Sequence, residues 1–171
     1  SHVYGNSDRT FGIREFQNGR MATAKRDNRE WLPDHPLKTD SCFVPDSSGI
    51  CYSSADSRTN AIPIMALFHT LFNREHNRLA GELQKLNPHW DDERLFQEAR
   101  KLNIAQYQHI TYYDFLPYIL GRGKMITEKL IYDGKALSFN DYDPTSELCT
   151  INEHTTGAYR VFHSSTSGVA K

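Results

Sequence analysis

The chain has 171 residues, with 20 Lys and Arg against 21 Asp and Glu and 38% hydrophobic residues, enough for one domain or part of a larger one. Near-balanced charge with no basic block of five or six residues argues against nucleic acid or an anionic membrane as a partner. No apolar run reaches the length of a membrane span, so the chain is expected to be soluble.

In chain order, "SHVYGN" lacks an initiator Met and a signal-type apolar stretch, and reads as a cut or processed start. Residues 1–60 predict loop. Turn residues are dense ("YGNSD", "QNGR", "LPDHP", "PDSSG") and neither a helical period nor a strand pattern persists. Cys42 and Cys51 lie nine apart in "CFVPDSSGIC", a spacing that a local disulfide can close. A cytosolic reading would leave them free or metal-bound, but no second Cys or His pair stands nearby at zinc spacing. A disulfide is expected, and with it an extracellular or lumenal setting. Cys149 is then the odd one out.

A first long helix is predicted from Pro63, a residue suited to a first turn. Its apolar stripe is Ile64, Phe68, Leu71, Phe72, Leu79, Leu83 and Leu86. "NPHWDD" breaks it and Asp91 can cap the next helix. That second helix carries Leu95, Ala99, Leu102, Gln106, His109, Tyr113 and Leu116 on one face, and ends near Pro117 and Gly121. A short helix over 124–131, a turn-rich connection and a last helix from about Thr145 complete a mainly α class.

Most histidines have an ordinary explanation. His2, His35 and His89 sit in turn-rich segments. His69 and His76 are seven apart on one helix, outside the i, i+4 spacing of a metal pair, and "HNREHN" lacks the HExxH order. Both read as core or hydrogen-bonded residues. His109 reads as part of a buried polar network with Gln106. His163, in "GAYRVFHSSTSG", ends an aromatic turn beside small residues that leave room for a flat group. A neutral imidazole is a standard haem-iron ligand. A structural histidine fits the same residues. Arg58 precedes a helix, where a surface ion pair is the ordinary outcome, although the tight turn "ADSRTNAIP" can also aim a guanidinium into a cavity. GxSxG, phosphate-loop and CxxC motifs are missing.

The run "SRTNAIPIMALFHTLFNREHNRLAGELQKLNPHWDDERLFQEARKLNIAQYQHITYYDFLPYILG" closely resembles the animal haem peroxidases, the family of myeloperoxidase, peroxidasin and peroxinectin. "HTLFNREHNRLA" is a specific signature, and "YDPTSELCTINEHTTGAYRVFHS" is similar to the stretch that ends in the proximal histidine. The resemblance extends over nearly the whole chain. It implies a mainly α peroxidase fold with long irregular loops, incomplete here, with residues 1–171 as its central segment (1–60 loop-rich, 61–171 helical). It implies haem b as cofactor, and hydrogen peroxide with a small electron donor as partners. Arg58 corresponds to the distal catalytic arginine and His163 to the proximal iron ligand. Cys42 and Cys51 match a local disulfide. In this frame Arg74, Glu75, His76, Asn77 and Arg78 would knit the helix to its loops while Ile64, Phe68 and Leu71 face the core.

Departures from the family pattern are specific. The glutamate that esterifies a haem methyl is Ala61 here, and the haem-linked methionine of myeloperoxidase is Ile62. The distal histidine and its neighbouring aspartate should precede residue 1. Only the last residue of the calcium loop corresponds, as Ser1, so most calcium ligands belong to other segments. The asparagine that accepts the proximal imidazole N–H should follow Lys171. His69 is the nearest candidate acid–base group, about three helical turns beyond Arg58. The expectation is a secreted peroxidase lacking its distal segment. The alternatives are a haem-free structural or assembly protein on the same fold, and an oxygenase of the cyclooxygenase branch.

Overall fold

A computed structural model describes residues 3–5, 13–35, 42, 49–133, 142–147 and 149–165. The chain divides into two compact units, Ser1–Ile131 and Tyr132–Lys171. The described structure is mainly helical. Ser1, His2 and Gly168 lie outside the described residues.

The first unit opens with a loop-rich stretch that contains one small hairpin. Strands β1 (Ala24–Arg26) and β2 (Arg29–Trp31) pair antiparallel, Ala24 opposite Trp31 and Arg26 opposite Arg29. Asp27 and Asn28 connect them at φ 50° and 59°, the left-handed pair that a two-residue hairpin turn demands. This pairing is a correction to the all-loop expectation. Three-residue strands are too short to show alternation, and the turn dipeptide was the available signal.

Helix α1 (Pro63–Leu86) starts with Pro63 in its first turn after an extended Ile62. The Asn87 main-chain N–H closes its end on Leu83 O at 2.8 Å. Helix α2 (Asp92–His109) begins at the expected cap, where Asp91 Oδ1 accepts from the Arg94 amide at 2.8 Å. A π-helical turn (Ile110–Phe115), α3 (Leu116–Leu120) and α4 (Arg122–Thr127) follow, with Gly121 at φ 78° between the last two.

Which faces are buried differs from expectation. In α1 the buried residues are His69, Thr70, Phe72, Asn73, His76, Asn77 and Ala80. Ile64, Phe68 and Leu71 are about half exposed. The polar face turns inward because it meets main-chain groups at Gly19, Met21 and, on β2, Glu30 that take side chains as partners. Asn77 serves as a one-residue strand: its Oδ1 accepts from Met21 N at 2.7 Å and its Nδ2 donates to Met21 O at 3.0 Å. Arg74 Nε donates to Glu30 O and the guanidinium lies over the Trp31 ring. Glu75 and Arg78 pair with each other along the helix rather than with a loop. In α2 the buried set is Leu95, Phe96, Ala99 and Asn103, with Leu102 exposed. His109 is exposed and stacks on Tyr113, centroids 4.6 Å apart. Gln106, its expected partner, is exposed as well, so the two do not form the buried network that was expected. The π turn adds a residue to the helical repeat there, which puts an unbroken α-helical stripe out of register.

The core gathers Val3, Tyr4, Ile13, Met21, Phe72 and Phe96. Through it runs a polar seam. The Tyr4 hydroxyl lies 2.7 Å from His76 Nδ1, Asn103 Nδ2 donates to Tyr4 Oη at 2.8 Å, and His76 Nε2 lies 2.8 Å from Gly19 O. One tautomer satisfies all three, with Nε2–H donated to Gly19 and Nδ1 accepting from Tyr4. Burial pushes the imidazole down to about 4 and the phenol well above its usual range. Gly19, at φ 68°, donates its amide to Asp92 Oδ1 at 2.7 Å. A Cβ there would fall 2.6 Å from both Leu95 Cβ and Phe96 N. Arg14 reaches the same helix start, donating to Asp92 and Glu93 at 2.8 and 2.6 Å and stacking on Phe96 at 3.9 Å.

In the second unit, α5 (Asn152–Thr156) and a 3-10 run (Ala158–Ser165) are the helical elements among the described residues. The expected start near Thr145 is a turn instead, with Thr145 N and Oγ1 both donating to Asp143 Oδ1. A side chain that satisfies the local main chain in a turn competes with helix there.

Candidate active site

Arg58 sits on the turn that feeds α1. Its Nε and Nη2 donate to Asp56 Oδ1 and Oδ2 at 2.9 and 2.6 Å, and its main-chain N–H donates to Asp56 Oδ1 at 2.9 Å. A two-pronged carboxylate fork fixes the plane of the guanidinium as well as its position. The Arg58 side chain is 71% exposed and that of Asp56 10%. The fork holds the Asp56 carboxyl down to about 2, with the Arg58 side-chain bonds as the leading cause.

The turn is anchored at two further places. Asn60 pairs with the Tyr52 main chain, accepting from Tyr52 N at 2.8 Å and donating to Tyr52 O at 2.9 Å. Tyr52 follows Cys51, which is bonded to Cys42 as expected, Cα atoms 5.9 Å apart. The 49–53 stretch also pairs with 33–35, through His35 N to Cys51 O and Ser53 N to Pro33 O, each 2.7 Å. Thr59, wholly buried, places its Oγ1 2.5 Å from His69 Nδ1 on α1. His69 and His76 are therefore both buried and hydrogen-bonded. Ala61 presents only a methyl group three residues after Arg58.

Asp56, Thr59, Asn60 and His69 build this turn; sequence reasoning expected His69 to be buried or hydrogen-bonded and gave the other three no role. The signal was the cluster of Ser54, Asp56, Ser57, Thr59 and Asn60, side chains that bond nearby main chain in turns.

His163 lies in the second unit, on the exposed 3-10 run, with Nδ1 3.0 Å from Arg160 O. Arg160 N donates to Gly157 O at 2.9 Å, and the Ser164 hydroxyl donates to Val161 O at 3.2 Å. Tyr159, Val161 and Phe162 are exposed around it. Cys149 is exposed with a free thiol, 3.5 Å from Glu147 Oε1. Among the described residues no group of three or more His, Cys, Asp and Glu is arranged to hold a metal ion, and no helix is long and apolar enough to cross a membrane.

The model of the animal haem peroxidase family matches residues 1–171. A peroxidase of Drosophila melanogaster is 49% identical over 98% of this chain and 25% of its own length. Human myeloperoxidase is 44% identical over 71% of this chain and 17% of its own. The chain thus spans about a quarter of the length of the first of these curated relatives. Among solved structures, peroxidase A from Dictyostelium discoideum superposes with a TM-score of 0.72 at 34% identity, covering 93% of this chain and 29% of the other. The signature on α1, the helical architecture and these likenesses agree: the chain belongs to the animal haem peroxidase family.

Proposed function

We propose that the chain is the central segment of a haem peroxidase domain in which Arg58 is the peroxide-side cation and His163 the axial ligand of haem b. Hydrogen peroxide is the oxidant and a small molecule the electron donor. The observation that carries the reading is the Arg58 turn, where a fixed cation is held by a carboxylate fork at the position matching the family's catalytic arginine. The residues present also fit the cofactor. If His163 Nδ1–H is donated to Arg160 O, Nε2 keeps its in-plane lone pair, the donor that an iron requires.

Bound haem would supply the redox-active iron at which the peroxide O–O bond breaks. Arg58 then holds positive charge against the negative charge developing on the departing oxygen. Asp56 keeps the guanidinium in one orientation, so little reorganisation is needed at that moment. His163 would hold the iron through Nε2 while its Nδ1–H is donated to the Arg160 carbonyl. Ala61 has no carboxylate, so the haem takes no ester at this position. Other segments of the domain supply the acid–base group that moves the peroxide proton, since Arg58 cannot be deprotonated. The Cys42–Cys51 disulfide supports a secreted, extracellular protein.

An absorption spectrum and a peroxide-dependent donor oxidation assay on the whole purified protein test the reading. A Soret band with turnover is expected, and Arg58→Ala should slow the reaction with peroxide on the order of a hundredfold or more. A protein with no Soret band after haem supplementation, and no turnover, contradicts it. Acid–acetone extraction should leave no haem on a peptide containing residues 58–65.

A further inference from the structure

We infer that Thr59 and His69 are positioning residues for Arg58: a buried hydroxyl–imidazole bond fastens the arginine turn to α1 and thereby sets the Asp56–Arg58 fork. The inference rests on the reading of Arg58 as the peroxide-side cation. His69 was the nearest candidate acid–base group by sequence, and its geometry gives it a different task. It faces Thr59, the residue next to Arg58, at 2.5 Å, and both side chains are buried.

The hydrogens can be counted. Thr59 Oγ1 lies 2.9 Å from Asp56 O and is bonded to Ser54 Oγ, and Ser54 Oγ lies 2.9 Å from Asp56 O. If His69 Nδ1–H donates to Thr59, Thr59 donates to Ser54 and Ser54 donates to Asp56 O. Each group then gives one hydrogen and the chain closes. In the opposite tautomer the Thr59 hydrogen is spent on the ring, Ser54 turns to Thr59, and Asp56 O receives neither hydroxyl. Asp56 O and Ser54 Oγ also accept the Thr59 and Asp56 amides, each at 3.2 Å, so the first assignment differs by one additional hydrogen bond in the chain, and bonds in such a chain strengthen one another. Its last acceptor is the carbonyl of Asp56, whose carboxylate grips Arg58. A rigid 24-residue helix therefore reaches the guanidinium through four residues. The Asp56 carboxylate on this turn grips the exposed Arg58 guanidinium by two bonds.

The test is a double-mutant cycle on the haem-loaded whole protein, reading the second-order rate constant for hydrogen peroxide by stopped flow. Thr59→Val and His69→Leu should each lower it on the order of tenfold, the rate equivalent of about one hydrogen bond. In an Arg58→Ala background the same changes should cost less than about twofold, because they act through Arg58. His69→Asn, whose amide N–H can stand where Nδ1–H stood, should restore most of the rate. A wild-type rate in Thr59→Val, or an equal loss with and without Arg58, overturns the inference. A wild-type rate in Arg58→Ala alone overturns the catalytic reading instead. Hydrogen exchange then judges the clamp by itself. Thr59→Val and His69→Leu should speed exchange of the 57–61 amides about tenfold, and unchanged protection there overturns the clamp.

Discussion

The Arg58 turn is tied to distant parts of its unit: to Tyr52 through Asn60, to α1 through Thr59 and His69, and to the Cys42–Cys51 loop by chain continuity. The described bonds around His163 close within residues 154–165, from Arg160 N to Gly157 O, from Ser164 to Val161 O, and by the contact of His163 Nδ1 with Arg160 O. A single 3-10 run has poor hydrogen-bond geometry and little stability of its own. The two regions therefore teach different lessons about preorganisation. At Arg58 the direction of the charge is set by the Asp56 carboxylate fork and the anchored turn that carries it. At His163 the described hydrogen bond is local, between Nδ1 and the Arg160 carbonyl three residues earlier.

The contrast can be broken or sharpened by substitution in the whole protein. The largest stability loss is expected at Gly19, which the seam beneath α1 and α2 pins. Gly19→Ala forces a Cβ to within 2.6 Å of the α2 main chain at φ 68°, and should cost about 3 kcal/mol or more in urea unfolding. Next comes acid. The folded His76 titrates near 4, chiefly because it is desolvated, against an ordinary 6.5. The unfolded chain therefore takes the proton first as pH falls. The stability this neutral histidine confers is complete above about 6.5 and drains away between there and about 4, a change of roughly 3 kcal/mol. His76→Gln should flatten that part of the urea midpoint–pH curve. Asp91→Ala, which removes the α2 cap, should cost about 1 kcal/mol. The smallest effect is expected at Ser164→Ala beside His163, within about 0.5 kcal/mol. A large loss there would mean that the 3-10 run is anchored as firmly as the arginine turn.

Local chemistry was legible in the sequence. Pro63, Asp91 and Gly121 each mark a boundary by what their own backbone or side chain does, and each boundary stands in the structure. Facing was legible only in part: Phe72, Leu95 and Ala99 are buried as the stripes predict. Hydrophobic periodicity assigned Ile64, Phe68 and Leu71 to the core, because it ranks residues by transfer from water and cannot know that main-chain groups at Gly19, Met21 and Glu30 take His76, Asn77 and Arg74 as partners. The β1–β2 hairpin was too short to show a period, and only Asp27–Asn28 advertised it. The site followed the same division. Register with a known family gave Arg58 and His163 their proposed roles. The anchors Asp56, Thr59 and His69 required three dimensions, since Thr59 and His69 are ten residues apart and meet only because the chain turns into a helix between them.

The most direct measurement of the central proposal compares haem retention in two variants of the whole protein, by the ratio of Soret to protein absorbance after gel filtration. On the proposed reading, His163→Ala removes the nitrogen that would hold the iron and should lose most of its haem. Arg58→Ala should keep its haem and lose its reaction with peroxide. Misfolding would strip both, so the contrast between them is the signal. A His163→Ala protein with a wild-type Soret band and wild-type turnover would contradict the account.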